Sequence, residues 1–267
     1  MRSSPSVVFL HGWCGQPDEL EGWRDLLPER LLAPAWMPAP GTLDPADWLA
    51  APGHGTDAAM LRFADVVLAR LRTTILAAGF EGSVLIGHSM GGAMALLLAA
   101  DPALAAAGLV LIDSSVPMPP QRRAEGTVRM AHWLERVQRE GLAATQRAWV
   151  TSMPERTRPY FHLNDQGPLR QQVEQRMAQA PVLEAAAALG GAVQWDVDAA
   201  LQALRCPILA LAADPARLPV EAFRAARPDA QLVHRAGCGH FLHLFDPAFL
   251  RAVLRPWLAL RWPALQE

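Results

Sequence analysis

The chain has 267 residues, of which 51% are hydrophobic, and a formal net charge of −2. A chain of this size and composition can bury a large core, and its balanced charge, without blocks of one sign, argues against nucleic acid or an anionic membrane as a partner. No apolar run reaches the roughly 20 residues that a membrane span needs, and the N-terminal segment leads into a strand-like run rather than a signal peptide. We therefore expect no membrane span and a cytoplasmic location.

The residue types that are absent also limit the chemistry. All 24 basic residues are arginine, which excludes mechanisms that depend on lysine, such as Schiff bases, pyridoxal phosphate, Walker loops and Ser-Lys dyads. The three cysteines, Cys14, Cys206 and Cys238, are odd in number and have no CxxC spacing. This pattern indicates free thiols rather than disulfides or a zinc knuckle.

Strand and helix patterns alternate along most of the chain. Four apolar segments rich in β-branched residues are typical of buried strands: residues 6–12, 83–89, 108–115 and 206–214. Stretches of helical period lie between them, as in residues 58–79, which end at a glycine suited to a helix C-terminus. The alternation predicts an α/β fold, with a mostly parallel central sheet and helices on both faces.

Two parts of the chain depart from this alternation. Residues 31–55 are rich in proline and glycine and offer two candidate strands, RLLAPAW and DWLAAP, between which the pattern does not choose. From about Pro117 to Leu201 only amphipathic helical patterns occur. We predict a helical cap at 117–200, inserted into a core made of 1–116 and 201–267. Its large apolar residues, Trp133, Trp149 and Met153, suit an acyl pocket or an ordinary core.

The segment GHSMG at residues 87–91 fits the pattern G-x-S-x-G, with a strand pattern before it and a helix pattern after it. A sharp strand-to-helix turn forces strained dihedral angles on its central residue and leaves little room for neighbouring side chains. Glycines at Gly87 and Gly91 permit such a turn. It would raise the hydroxyl of Ser89 above the sheet edge, close to the amides at the start of the helix.

Four short motifs together resemble those of the α/β-hydrolase fold superfamily: HGW (11–13), PGHG (52–55), GHSMGG (87–92) and GCGHF (237–241). The resemblance extends over essentially the whole chain. It implies that Ser89 is a nucleophile, that His240 is its general base, and that the backbone N–H groups of Trp13 and Met90 form an oxyanion hole. It implies no cofactor.

The acid that would orient His240 has two candidates. The superfamily usually supplies it from a loop after the strand that here is CPILALAA, and Asp214 follows that strand 26 residues before His240. The loop is shorter than the common G-x-x-D-P pattern, which puts Ala216 at the acid position in a gapless match. Asp113 follows an earlier strand, where some members carry the acid, although it also suits a turn cap at Ser114. The sequence favours Asp214.

The other histidines have structural interpretations. His11, His54 and His88 each lie beside a predicted turn and suit a supporting role. His240 and His243 have a spacing that some metal sites use, but no HExxH motif accompanies them, so we expect no metal site. Cys238, close to the predicted base, is interpreted as an ordinary buried thiol.

The predicted function is hydrolysis of a small, uncharged or weakly charged ester, thioester, lactone or carbon–carbon substrate through Ser89. The expected partner is a small molecule with an apolar part. Two alternatives remain, since a fold alone does not define a reaction. One is a cofactor-free oxygenase, because HGWC and an acid after LVLI also resemble the α/β-fold quinaldine dioxygenases. The other is a non-catalytic binding member of the fold.

Overall fold

A central six-stranded sheet organises the molecule. The structure, a computed structural model, describes residues 6–37 and 55–260. Every strand pairing in the sheet is parallel, and the spatial order is β2-β1-β3-β4-β5-β6. The strands are β1 (Val7–Leu10), β2 (Leu31–Leu32), β3 (Val84–His88), β4 (Gly108–Ile112), β5 (Ile208–Ala212) and β6 (Gln231–His234).

Both faces of the sheet are buried, because alternate residues of each strand enter two different hydrophobic clusters. On one face Val8, Leu85 and Leu111 pack against one set of helices. On the other face Phe9 and Ile86 pack in a cluster that also holds Trp23 and Trp257. The continuous apolar runs of the sequence follow from this double burial, and the predicted α/β sheet with helices on both faces is confirmed.

Ten α-helices surround the sheet in the described residues: α1 (Thr56–Ala77), α2 (Met90–Ala99), α3 (Pro120–Glu140), α4 (Leu142–Thr157), α5 (Pro168–Gln179), α6 (Val182–Ala192), α7 (Val197–Ala203), α8 (Val220–Ala226), α9 (Leu242–Phe245) and α10 (Pro247–Ala259). Two 3-10 helices, Pro17–Leu26 and Arg158–Tyr160, complete them. Among these helices none combines the length and the apolar character that crossing a bilayer requires.

The ambiguous segment after the first strand is resolved in part. Strand β2 lies inside the first candidate, RLLAPAW, and pairs with β1. The second candidate, residues 47–52, lies outside the described residues. So does His54. Strand β6 was not among the predicted strands, and its residues are only half-buried or exposed.

The inserted helices α3 to α6 lie between β4 and β5 in the chain. They do not form a detached layer, since α6 packs along both α1 and α3. The short helix α7 continues across the predicted boundary at residues 200 and 201 and packs on α2. The division into a core and a cap at 117–200 stays a prediction.

Candidate active site

Ser89 occupies the turn between β3 and α2. Its backbone angles, φ 53° and ψ −118°, lie in a region that residues with a side chain rarely adopt. The N–H of Ser89 donates to the carbonyl of Ile112 over 2.9 Å, which ties the turn to the neighbouring strand. Ser89 is the N-cap of α2, so its side chain lies at the positive end of that helix.

The glycines around Ser89 are required by close backbone approaches. A Cβ atom at Gly87 would lie less than 3.0 Å from the backbone carbonyl of Gly91, and one at Gly91 would meet the backbone carbonyls of Leu10 and His11. Because these neighbours are backbone atoms, they cannot rotate away. The turn therefore accepts no larger residue at either position without a shift of β1 or β3.

His240 is paired with Asp113. Its Nδ1 donates to Asp113 Oδ2 over 2.7 Å, and both side chains are buried. The other carboxylate oxygen, Oδ1, accepts three backbone N–H groups from the loop after β5: Ala213 at 3.2 Å, Arg217 at 2.8 Å and Leu218 at 3.2 Å.

The sequence-based preference for Asp214 as the partner of His240 is therefore wrong. Asp214 Oδ2 accepts the backbone N–H of Gly237 over 3.0 Å instead. The loop after β5 does take part, but through its amides: it supplies hydrogen-bond donors to Asp113, which stands at the end of the adjacent strand β4.

The His240 ring is held neutral and oriented. Burial lowers its pKa below the ordinary value of a histidine, although the hydrogen bond to Asp113 acts in the opposite direction. Since a carboxylate only accepts, Nδ1 carries the proton and Nε2 keeps its lone pair. The inserted segment fixes the backbone, because the carbonyl of Tyr160 accepts the N–H of His240 over 2.7 Å and Asp165 Oδ2 accepts the N–H of Gly239 over 2.8 Å.

Ser89 and His240 line one cavity of about 90 Å³, together with Met90. A second, smaller cavity of about 50 Å³ is lined by Trp13, Ser89 and His240. The two residues predicted to form the oxyanion hole, Trp13 and Met90, thus both border space that Ser89 reaches. The indole Nε1 of Trp13 donates to the carbonyl of Ala185 over 2.8 Å, which anchors this residue to α6.

Three arginines and a tyrosine line the larger of the two cavities that Ser89 borders, and none of them was identified from the sequence. They are Arg122, Arg129, Arg217 and Tyr160. The guanidinium of Arg122 donates to Ser115 Oγ over 2.7 Å and to the carbonyl of Arg217 over 2.6 Å. Burial, followed by the charge of Arg217, lowers the pKa of Arg122. The rest of the lining is largely apolar: Ala93, Met118, Leu189, Ala192 and Val193.

Of the three histidines interpreted as structural, His11 and His88 lie within the described residues, and both are buried. His11 stacks on Trp36 with ring centroids 4.9 Å apart, and His88 lies beneath the turn, where its Nε2 donates to the carbonyl of His240 over 3.0 Å. Cys238 is a buried thiol whose pKa is raised to about 12, chiefly by burial. The inserted segment's Trp133, Trp149 and Met153 are part of the main hydrophobic cluster.

A second group of polar side chains lies beneath the turn. One ligand atom each from Glu19, His88 and His243 lies within 4.8 Å of the other two, and all three residues are buried. The spacing of His240 and His243 is visible in the sequence, but no local pattern connects His243 with Glu19, which is 224 residues away in the chain.

The chain belongs to the alpha/beta hydrolase family, since residues 7–253 match the sequence model of that family. It is similar over nearly its full length to the 2-succinyl-6-hydroxy-2,4-cyclohexadiene-1-carboxylate synthase of Klebsiella pneumoniae strain 342: 30% identity over 264 residues, covering 96% of this chain and 94% of the relative. The match to the synthase of Salmonella paratyphi C, 31% identical, covers 55% of this chain and only 53% of that relative.

Solved structures show the same fold. MenH from S. aureus has a TM-score of 0.69 at 15% identity, with 98% of this chain and 96% of that chain covered. A thermophilic esterase from Thermogutta terrifontis has a TM-score of 0.67 at 25% identity, with 97% and 91% covered. The predicted membership of the α/β-hydrolase superfamily is confirmed, and the chain is an enzyme of that family.

Proposed function

We propose that the chain is a serine hydrolase in which Ser89, His240 and Asp113 form the catalytic triad. The observation that carries this proposal is the 2.7 Å hydrogen bond from His240 Nδ1 to the fully buried carboxylate of Asp113, beside a cavity that Ser89 also lines. The bond leaves Nε2, the other ring nitrogen of His240, available as the base.

The reaction would proceed in two steps. Ser89 Oγ attacks the carbonyl carbon of the substrate while His240 Nε2 takes the hydroxyl proton, and the negative oxygen is stabilised by the backbone N–H groups of Trp13 and Met90. His240 then returns the proton to the leaving group, which departs and leaves an acyl group on Ser89. Water, deprotonated by His240, attacks this ester and releases the acid product and free serine.

The cavity favours a substrate that carries a carboxylate as well as an apolar part. Three of its lining residues are arginines, and among the described residues that line it none is acidic. A guanidinium binds a carboxylate strongly in such surroundings because of its paired donors. We therefore propose a small ester, thioester, lactone or carbon–carbon substrate with an anionic group, in place of the uncharged or weakly charged substrate expected from the sequence.

The test uses two p-nitrophenyl esters, the neutral butyrate and the anionic hemisuccinate. Ser89→Ala should abolish turnover of both without unfolding the protein, because alanine keeps the Cβ atom that the turn already accommodates. A fluorophosphonate probe should label the wild type at Ser89 and leave the variant unlabelled. Ser152→Ala, in which the hydroxyl lost bonds only a carbonyl of its own helix α4, is the control. Turnover by Ser89→Ala within tenfold of wild-type kcat/KM would show that Ser89 is not the nucleophile.

A second candidate is a synthase reaction like that of the relatives. The full-length relative is named for a product with succinyl and carboxylate groups, and the three cavity arginines suit such an anion. In this case His240, with Ser89, would move a proton and no acyl-enzyme would form. Formation of that product without a burst of p-nitrophenol from either ester would favour the synthase. Turnover that requires oxygen, with Ser89 unlabelled, would favour the oxygenase.

A further inference from the structure

None of the three residues in the buried polar group beneath the turn belongs to the proposed triad, although His88 is hydrogen-bonded to the backbone of His240. Glu19 comes from the 3-10 helix Pro17–Leu26, His88 from the end of β3 and His243 from α9. Their exposed fractions are 6%, 1% and 0%. Three separate segments thus bring one carboxylate and two imidazoles together inside the protein, where polar groups are costly unless they are paired or bind an ion.

His88 presents an unused lone pair to this group. Its Nε2 donates to the carbonyl of His240 over 3.0 Å, and since a carbonyl only accepts, Nε2 must carry the proton. Nδ1 is then the unprotonated nitrogen of the neutral ring, and it is buried without a hydrogen-bond partner. Histidines that bind a metal through one ring nitrogen usually donate the N–H of the other nitrogen to a backbone carbonyl or a carboxylate. His88 has this arrangement.

Glu19 and His243 already have the spacing of two ligands on one ion. Glu19 Oε2 and His243 Nε2 are 3.3 Å apart, and two ligands on a tetrahedral zinc ion, with bonds of about 2.1 Å, are separated by about 3.4 Å. His243 Nδ1 is a second buried nitrogen without a partner. The 3.3 Å contact is longer than an ordinary hydrogen bond between nitrogen and oxygen, and Glu19 Oε1 accepts the backbone N–H of Gln16 at the same long distance.

We propose that Glu19, His88 and His243 form a zinc-binding site. Two neutral imidazoles and one carboxylate are a ligand set that Zn²⁺ takes with a water in the fourth position. A cavity of about 320 Å³, lined by all three residues, gives an ion access and leaves room for that water. Gly12 and Gly15 keep it open, because a Cβ atom at either would collide with His88 or Glu19.

Such an ion would brace the proposed active site. His88 directly precedes Ser89 in the chain, and its Nε2 holds the backbone carbonyl of His240. Zinc on His88 Nδ1 would therefore join β3, the 3-10 helix Pro17–Leu26 and the loop that carries His240. The ion would lie under the turn rather than in the cavity of Ser89. Its expected role is therefore to position the three segments that carry its ligands and His240.

Zinc binding is measured on the untagged protein after treatment with a chelator. Calorimetric titration with Zn²⁺ should give one site per chain, and a Zn²⁺ concentration of 100 times the Kd should raise Tm by roughly 5 °C or more. Glu19→Gln and His243→Gln should each weaken zinc binding by about 100-fold or more. Removal of a residue that only hydrogen-bonds to a metal ligand already lowers metal affinity by about 10- to 100-fold, and these two residues are the proposed ligands themselves. Asp18→Asn removes an exposed carboxylate at the same cavity, and should bind zinc as the wild type does.

Cobalt provides a readout that needs no variant. Co²⁺ bound to the wild type should give the visible absorption of a tetrahedral nitrogen and oxygen site. A strong near-ultraviolet thiolate-to-cobalt band would instead place the ion on a cysteine such as Cys14, which lines the same cavity, and would overturn the proposal. So would the absence of stoichiometric zinc binding by the wild type, or unchanged binding by both ligand variants.

Discussion

Asp113 shows how a single carboxylate can be fixed by its surroundings. It is completely buried and receives four hydrogen bonds, one from His240 and three from backbone amides after β5. The amides hold Oδ1, so the carboxylate cannot rotate away when His240 moves. In the proposed triad, such a fixed acid would keep the imidazole in one tautomer and stabilise its charged form.

The proposed role of Asp113 predicts a large loss of activity when its carboxylate becomes an amide. Asp113→Asn should lower kcat by about 10⁴-fold, because the amide can present an N–H to His240 and select the wrong tautomer. The steady-state hydrolysis of p-nitrophenyl butyrate measures the effect, with circular dichroism to show that the variant is folded.

Asp214→Asn is the matched control for this substitution. Asp214 accepts one N–H from Gly237, which the oxygen of asparagine can still accept, so activity should stay within tenfold of wild type. A collapse of activity in Asp214→Asn with Asp113→Asn unaffected would contradict the assignment of Asp113.

The sequence led to Ser89 and His240 because their motifs are local, whereas the acid depends on tertiary structure. Asp113 and Asp214 both follow apolar strands, and those strands are neighbours in the sheet. The chain order does not reveal which carboxylate faces His240; the direction of the backbone amides after β5 decides it. Arg217 and Tyr160 also reach the cavity by tertiary contacts alone, and no motif surrounds either of them.

The contact between α6 and α1 joins a helix that lies between β4 and β5 in the chain to one that precedes β3. Gly190 and Gly191 lie at this contact. A Cβ at Gly191 would meet the backbone carbonyl of Met60 and the Cβ of Ala64, whereas one at Gly190 would meet only side chains, those of Met60 and Met130. The two helices can approach so closely because α6 has no side chain where the backbone of α1 passes.

This contact predicts different effects for two adjacent substitutions. Gly191→Ala should lower the free energy of unfolding by about 2–3 kcal/mol, since the backbone of α1 must shift. Gly190→Ala should cost less, by about 1 kcal/mol or more, because the thioether end of Met60 can rotate away, the Cβ of Met130 needs to give only slightly at 2.9 Å, and alanine favours the helix. Urea denaturation of both variants measures the difference. Equal stability of the two variants would show that the helices separate easily.

The elements predicted from the sequence are those with strong local patterns. Strands β1, β3, β4 and β5 are buried on both faces, so they are continuous apolar runs. Strand β6 lies at the sheet edge, where partial exposure allows polar residues such as Gln231 and His234, and its pattern is correspondingly weak. The helical character of the inserted segment was evident, but its close contact with α1 depends on which faces meet.

The cavity of Ser89 is built across the molecule, from residues that are far apart in the chain. The inserted segment contributes Arg122, Arg129 and Tyr160, and the loop after β5 contributes Arg217. The chain carries a net charge of −2, yet the cavity is lined by three arginines and, among the described residues, by no acidic side chain. Charge is thus concentrated where the substrate would bind, which favours the binding of anions and makes it sensitive to salt.

Arg129→Gln tests this concentration of charge. It should lower the ratio of kcat/KM for the hemisuccinate to that for the butyrate by about fivefold, because an exposed ion pair contributes about 1 kcal/mol. Arg139→Gln, on the same helix α3 but paired with Glu140, removes the same charge and should leave the ratio unchanged. Added salt should reduce the wild-type ratio more than that of Arg129→Gln, since the ions screen an attraction that the variant has partly lost. A ratio insensitive to both the Arg129 substitution and salt would show that these arginines do not bind the substrate's carboxylate.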